Sequence, residues 1–524
     1  MTAVEIAQRQ SPATARLRLI ATALNPNIAF MLWEAADREG DRPAIVERGR
    51  VTGYLSLRCR ASAIASALVA AGVEPNDRVG IFLERGSEAA AAFFGVVAAG
   101  AIAVFVNETL RPRQIDHILL HAGVTGLLTS SELLARQPHP PATDAAILLV
   151  DAIPQDGDIQ PFPRLGPDIA QIIYTSGSTG LAKGVVITHA NLWAGVRAVT
   201  SYLGIRRDDR IASLLPFSFD YGCNQLLCAV ATGATLVVKR SQVPHQIIAT
   251  LRDEDVTVLA GVPPLWLRLL QVRGFVQGPL ASLRVMTNTG GHLPGDAVAK
   301  LRAAHPRARL FLMYGLTEAF RATYLPPEQL DERPGSIGQA IPSSEILVLR
   351  DDLTVCAAEE VGELVQRGPT VAAGYWADPE ATSRVFRPNP LRPAGAPDSE
   401  RVVFSGDLVR RDAEGFLYYV GRRDRMIKTL GHRVSPDEVA EVLHASGEVA
   451  EAIVDAEPDE ERGERIVAHV VLTPAGSVDR LKTFCRRELP RHMEPSRIEA
   501  HSTLPRTSTG KYDTAATRAP NDRA

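Results

Sequence analysis

Between about Asn27 and Thr129 the chain alternates segments of helical spacing with short apolar runs, and this alternation restricts the fold more than any other feature. SLRCRASAIASALVAAGV has helical spacing, DRVGIFL is a short apolar run, and SEAAAAFFGVVAAGAIAVFV is a helix feeding a strand. Helices that separate short strands let those strands lie side by side in one direction, so the reading is α/β with a largely parallel sheet. The rhythm returns in ATLVV, VTVLAGV and LRVMTNTGG, and no repeat of fixed period interrupts it. At 524 residues the chain exceeds the size at which one hydrophobic core keeps growing, so two or more domains are expected.

Near Gly362 the texture shifts to shorter, turn-rich β pieces such as GELVQRG and EGFLYYVGRRD, which predict a β-rich subdomain. After Asp424, VSPDEVAEVLHA is an amphipathic helix opened by Ser435 and Pro436 at capping positions. AEAIVDAE and ERIVAHVVL read as strands and VDRLKTFCRREL as a helix, so the last ~100 residues fit a small α+β domain. The expected division is a large domain over 1–423 and a small one over 424–524.

Lys plus Arg is 57 against 60 for Asp plus Glu, a balance that argues against nucleic acid or an anionic membrane as the main partner. The five cysteines, Cys59, Cys223, Cys228, Cys356 and Cys485, contain no CxxC pair and suggest neither a zinc site nor a disulfide framework. The first twenty residues lack an apolar core, and no window reaches the ~20 apolar residues that span a bilayer, so a cytoplasmic protein is expected.

The stretch YTSGSTGLAKGVVITH, Tyr174 to His189, follows an apolar run with glycines, hydroxyls and one lysine. Backbone amides and hydroxyls in such a turn can surround phosphate oxygens. The GxxxxGK[ST] template fails here, because Ala182 stands in place of the second glycine and Gly184 in place of the magnesium-binding hydroxyl. An ordinary P-loop is therefore disfavoured.

YTSGSTGLAKG, LPFSFDYG, MYGLTEA, GELVQRGPTVAAGYW, FSGDLVRRDAEGFLYYVGRRDRMIKTLGHRVSPDEVAEV and PRTSTGKYD resemble, in order and spacing, the successive motifs of the AMP-forming adenylating enzymes. That family includes acyl-CoA synthetases, luciferases and peptide-synthetase adenylation domains. The resemblance implies that a carboxylate attacks the α-phosphate of ATP, and that a thiol then takes the acyl group from the adenylate and releases AMP. It implies a phosphate cradle of Thr175, Ser176, Gly177, Ser178, Thr179 and Gly180 with Lys183 beside it. It places Tyr314 against the adenine, counts Gly291 and Gly315 in the ATP site, and puts Thr317 on phosphate and Glu318 on Mg²⁺, a hard cation that prefers oxygen ligands. Asp407 would accept from the ribose hydroxyls, supported by Arg422, and Lys511 would reach the reacting carboxylate and α-phosphate. A mobile ammonium suits a charge that enters and leaves a site. Asp424 matches the hinge about which the small domain turns, and Lys428, Gly431 and Arg433 would face the thiol step, where a pantetheine arm approaches.

In LPFSFDYG, Phe219 stands where fatty-acyl and many aryl-CoA ligases carry a histidine, and Asp220 resembles the aspartate that pairs with the substrate ammonium in amino-acid adenylation domains. A buried carboxylate needs a partner, and a cationic ligand group is one candidate. Arg321 is the competitor: it would either neutralise Asp220 or hold a second substrate carboxylate bidentately. Tyr221, Asn224, Trp266, Asn288, Thr289 and Gly290 complete the expected pocket, although Trp266 is equally compatible with ordinary core. The resemblance thus implies a stand-alone ligase that activates a small amino acid and loads a carrier-protein phosphopantetheine. The alternatives are a CoA ligase of a non-amino acid and a non-catalytic nucleotide binder. EAFRATYLPPEQLDERPGSIGQAIP also resembles ligases that accompany exosortase systems, which leaves the acceptor open.

Overall fold

The computed structural model describes residues 26–155, 157–175, 182–423, 425–429, 432–459, 463–507 and 512–513. The expected parallel strands form. Arg78–Phe82, Ile102–Phe105, Gly126–Thr129, Ala146–Leu149 and Ile169–Thr175 lie parallel in one sheet. Lys183–Thr188 turns back antiparallel along Ile169–Thr175, and the two-residue strand Gly374–Tyr375 closes that edge. A second sheet runs Pro43–Glu47, Thr235–Val238, Arg210–Ser213, Val258–Gly261, Val285–Asn288, Arg309–Tyr314, again parallel.

Beyond Arg309–Tyr314 this second sheet continues with antiparallel strands: Thr323–Leu325, Ser336–Ala340, Leu417–Arg422, Arg401–Arg411, Val361–Arg367 and Glu345–Leu349. The β-rich part therefore begins at Thr323, well before the change of texture at Gly362. The physical reason is the connection. After Tyr314 the chain reverses through the short turn Thr317–Ala319, with no crossover helix, and a short connection permits only antiparallel pairing.

The helices behave as their patterns require. Ser87–Ala98 is apolar all round, buries every residue from Ala89 onward, and packs on Tyr54–Ala70. Gly95 allows that approach, since a Cβ there would lie 2.7 Å from the Ala61 carbonyl oxygen.

The C-terminal part has its own five-stranded sheet and its own core, built around Ile427, Val439, Leu443, Ala468 and Leu481. Ser435 caps the Pro436–Ala445 helix by accepting from the Glu438 N–H at 3.3 Å, as the sequence suggests. That helix rests on Gly295–Ala304 of the larger part. Among the described residues no helix is long and apolar enough to cross a membrane.

His189, the first residue of the His189–Leu203 helix, is buried, and its Nδ1 accepts the Ile28 N–H at 3.0 Å. Burial, reinforced by Arg164, lowers its pKa to about 3. The ring is neutral in the fold but protonates below about pH 6.5 once unfolded, so its contribution is complete above that pH and is lost as pH falls toward 3. We expect urea stability to drop by about 2 kcal/mol more between pH 7 and pH 5 in the native chain than in His189→Gln. Equal pH slopes for the two proteins would refute this.

Candidate active site

Open α/β sheets bind ligands outside the carboxyl ends of their strands, so those ends, with the reversal after Tyr314 beside them, mark the candidate cleft. Tyr314, the last residue of its strand, donates its hydroxyl to Asp407 Oδ2. Burial and the neighbouring Asp407 carboxylate raise the Tyr314 pKa well above its ordinary value, so the phenol remains a donor. Arg422 is the cross-strand partner of Asp407 and places its Nε 3.7 Å from Asp407 Oδ1. Ser405 Oγ accepts the Asp407 N–H at 3.0 Å. Asp407 is thus fixed by its own strand, with Tyr314 and Arg422 on opposite oxygens.

Glu318 sits in the turn Thr317–Ala319, where Tyr375 donates its hydroxyl to Oε1 at 2.7 Å. Lys183 begins the strand after the glycine-rich loop, opposite Thr175. Its Nζ lies 3.5 Å from Asp378 Oδ2 and 5.5 Å from the centre of the Tyr375 ring. Tyr375 therefore links Glu318 to Lys183. Asp378 does not stand out in the sequence, and Tyr375 does so only as the tyrosine of GYW, with no sign of its partners. Ser176, Gly177, Ser178, Thr179, Gly180, Asp424, Gly431 and Lys511 lie outside the described residues. Lys428 and Arg433 are partners in the hairpin of Ile427–Thr429 with His432–Val434.

Beside this cleft Asp220 and Tyr221 open the Asp220–Thr232 helix, both buried. A carboxylate in the first helical turn is favoured by the helix dipole. Tyr221 hydrogen-bonds Thr287 and lies edge-on to Phe219 at 6.2 Å. Arg321 is 2% exposed. Its guanidinium lies over the Tyr221 ring at 4.8 Å and reaches Thr289 Oγ1 at 3.4 Å. Among the described residues no carboxylate forms an ion pair with it, so the internal Asp220–Arg321 neutralisation considered from the sequence does not form an ion pair here.

Arg321, Tyr221, Asn224, Gln225, Cys228 and Thr287 line part of a narrow cavity of about 20 Å³, room for roughly one water. The side-chain amide of Gln225 is buried there and has no hydrogen-bond partner among the described residues, while Asn224 lies against Cys228. Gln225 and Cys228 lie one and four residues beyond Asn224 on the same helix, and helical periodicity could have pointed to Cys228. Trp266 is core. It is fully buried, packs on Gly261, where a Cβ would lie 2.7 Å from the indole, and does not line the cavity. Asn288 donates to the Gly291 carbonyl at 3.2 Å and so shapes the glycine turn, in which Gly290 adopts φ 80°.

Phe320 holds Arg321 in place through an unusual backbone. At φ 61° and ψ −63° it adopts a conformation that costs about 1–3 kcal/mol for a side-chain-bearing residue. The surroundings over-determine it. Its ring fills the space left by Gly195, where a Cβ would lie 2.2 Å from Phe320 Cε1, and Gln366 donates to the Arg321 carbonyl at 2.9 Å.

An α/β scaffold with a β-rich extension and a small C-terminal domain, the glycine- and hydroxyl-rich sequence between Thr175 and Lys183, and the Tyr314–Asp407–Arg422 cluster fit a nucleotide-using enzyme of the adenylating type. Residues 32–376 match the AMP-binding enzyme family, and residues 438–511 match the AMP-binding enzyme C-terminal domain. The chain belongs to that family. It is 32% identical, over 92% of its length, to the probable non-canonical nonribosomal peptide synthetase CymA of Salinispora arenicola, of which it spans 6%. It is 29% identical to a long-chain-fatty-acid–CoA ligase of Salmonella typhimurium, covering 93% of this chain and 94% of that protein. Among solved structures, o-succinylbenzoate coenzyme A synthetase from Bacillus subtilis with ATP and magnesium aligns with TM-score 0.79 at 26% identity, over 92% of this chain and 98% of that one.

Gly195→Ala should force Phe320 and Arg321 to shift. We expect a loss of about 1–3 kcal/mol in denaturant stability, as overpacked cores show. Unchanged stability would mean that the 320–321 backbone is not held by this contact.

Proposed function

We propose that the chain is an AMP-forming ligase that adenylates a small amino acid and passes it to the phosphopantetheine thiol of a separate carrier protein. The substrate carboxylate attacks the α-phosphorus of ATP, the bond to the bridging oxygen breaks, and pyrophosphate leaves. The thiol then attacks the acyl carbon and AMP leaves. Positioning and charge neutralisation supply most of the acceleration in such chemistry.

Asp407 and Arg422 would hold the ribose, Tyr314 would lie against the base, and the 175–183 loop would take the β and γ phosphates. Glu318, a carboxylate oriented by Tyr375, suits a hard cation, and Mg²⁺ there would neutralise phosphate charge. Lys511 would bring an ammonium to the reacting oxygens, and rotation about Asp424 would exchange it for the 428–433 hairpin before thiol attack.

The observation that carries the substrate reading is the buried guanidinium of Arg321, which lies in a narrow cavity and has no carboxylate partner among the described residues. An alkyl chain packed against it would leave a cation buried in hydrocarbon, so unsubstituted fatty acids are poor candidates. The amide group of Gln225 in the same wall also asks for polar contacts. Asp220 is assigned to the substrate ammonium on its place in LPFSFDYG, and it forms no ion pair with Arg321 among the described residues. The group directed at Arg321 is then a short side chain with acceptor oxygens. A second reading, a small dicarboxylic acid lacking the ammonium, rests on Arg321 alone.

ATP–pyrophosphate exchange with short neutral amino acids, acidic amino acids, small dicarboxylic acids and fatty acids separates these readings. We expect exchange with a short amino acid bearing side-chain oxygens, and exchange with unsubstituted fatty acids alone would sink the proposal. Arg321→Met and Asp220→Asn should each raise KM by roughly tenfold to a hundredfold, consistent with ~1.5–3 kcal/mol for a charged hydrogen bond. Exchange by dicarboxylic acids that is insensitive to Asp220→Asn would instead favour the second reading. For the acceptor, acyl transfer to coenzyme A but to no carrier protein would contradict the carrier assignment. Lys511→Ala should abolish exchange while sparing thiol transfer from the preformed adenylate.

A further inference from the structure

The small domain gathers three metal-ligating side chains on one face of its sheet. His469 lies on Gly463–Leu472 and Glu499 on the parallel strand Arg497–Ala500, and the two are register partners. His501 follows two residues after Glu499, and its N–H continues the ladder to the Val470 carbonyl at 2.8 Å. Alternation along a strand therefore places Glu499 and His501 on the same side, facing His469. The opposite side, carrying Ala468 and Val470, is the domain's core.

The three donor atoms are already close. His469 Nδ1 lies 3.2 Å from His501 Nε2 and 3.2 Å from Glu499 Oε2, and the latter two atoms are 3.8 Å apart. A tetrahedral zinc with bonds of about 2.0–2.1 Å separates its ligand atoms by about 3.3–3.4 Å. A triangle of these dimensions contains a point about 2.0–2.1 Å from all three corners, the length of a Zn–N or Zn–O bond. Arg497 Nε holds the other carboxylate oxygen, Oε1, at 2.8 Å, which orients Oε2 toward the two rings in the manner of an outer-sphere partner. His469 is buried while His501 and Glu499 are partly exposed, so the position between them has a fixed floor and an opening to solvent.

We propose that His469, Glu499 and His501 form a site for a divalent transition cation of the zinc class, with the fourth tetrahedral position left to water. Two imidazoles and one carboxylate favour zinc, cobalt or nickel over magnesium or calcium, which prefer all-oxygen sets. No other His, Cys, Asp and Glu group of this kind occurs among the described residues. The cation would tie the four-residue edge strand Arg497–Ala500 to its neighbour, and with it the start of the segment that runs on to Arg506 and Tyr512. The site is independent of the adenylation reading, because none of its three residues belongs to the cleft.

The test is zinc uptake by the metal-stripped full chain in competition with a chromogenic chelator, together with cobalt substitution read by the intense visible absorption of tetrahedral Co²⁺. Wild type should bind one equivalent saturably, undisturbed by excess magnesium. His501→Gln and Glu499→Gln should lose at least about tenfold in affinity, together with the cobalt spectrum. His501→Cys, which restores a ligand, should recover uptake and so separate loss of a ligand from loss of the fold. A wild type that takes up no zinc, or uptake unchanged in both Gln variants, would overturn the proposal.

Discussion

The site depends on one change of pairing. Arg309–Tyr314 lies parallel to Val285–Asn288 on one side and antiparallel to Thr323–Leu325 on the other. The parallel side brings the carboxyl ends of several strands to one crevice, where open α/β sheets bind ligands. The antiparallel side requires the chain to reverse within a few residues. That reversal, 315–322, carries Thr317, Glu318, Phe320 and Arg321 into the crevice together. A crossover helix at this point would have carried them elsewhere, so sheet topology and site chemistry are one constraint.

Charge is distributed in the cleft by two different means. Asp407 is held by neighbours on its own sheet, with Tyr314 on one oxygen and Arg422 near the other. Its position is set by the fold itself, which is what preorganised recognition of a ribose, the role proposed for it, would require. Arg321 is the opposite case: among the described residues its guanidinium is supported by a tyrosine face and a long bond to Thr289. Cation–π contact contributes about 0.5–2 kcal/mol, less than the several kcal/mol that burial costs an ion. The balance comes from packing, through the Phe320 ring wedged over Gly195 and the Gln366 bond to the Arg321 carbonyl. The fold thus spends stability at this position, the pattern expected where a side chain is held for a ligand.

Much of this was legible in the sequence, for physical reasons. Helical and strand periodicities marked the parallel sheets and the small domain, because burial on one face or all round leaves a strong pattern in SEAAAAFFGVVA or ERIVAHVVL. The start of the antiparallel region was misplaced by some forty residues because Thr323–Leu325 and Ser336–Ala340 are too short to leave a period. Tyr221 and Arg321 come together, with the guanidinium over the ring, whereas Trp266 belongs to the core, since an aromatic in a helix looks the same in either role. Tyr375 and Asp378 were missed because their partners, Glu318 and Lys183, are distant in sequence. The left-handed backbone of Phe320 leaves no trace in composition, as glycine is the residue that ordinarily signals such a turn.

The contact between the two domains has a character that suits motion. The Pro436–Ala445 helix rests on Gly295–Ala304, yet the charged contact there, His292 to Glu441, spans 3.8 Å between partly exposed side chains. Such pairs contribute about 0–1 kcal/mol. Asp437, at the start of the same helix, is buried enough to raise its carboxyl pKa, with His292 and Arg425 pulling the other way, so docking it carries a desolvation cost as well as a gain. The two hydrophobic cores are separate clusters. A domain that is complete in itself and docks through weak, partly compensated polar contacts can leave its position without exposing a large apolar surface, which is the freedom that the proposed exchange of Lys511 for the 428–433 hairpin would require.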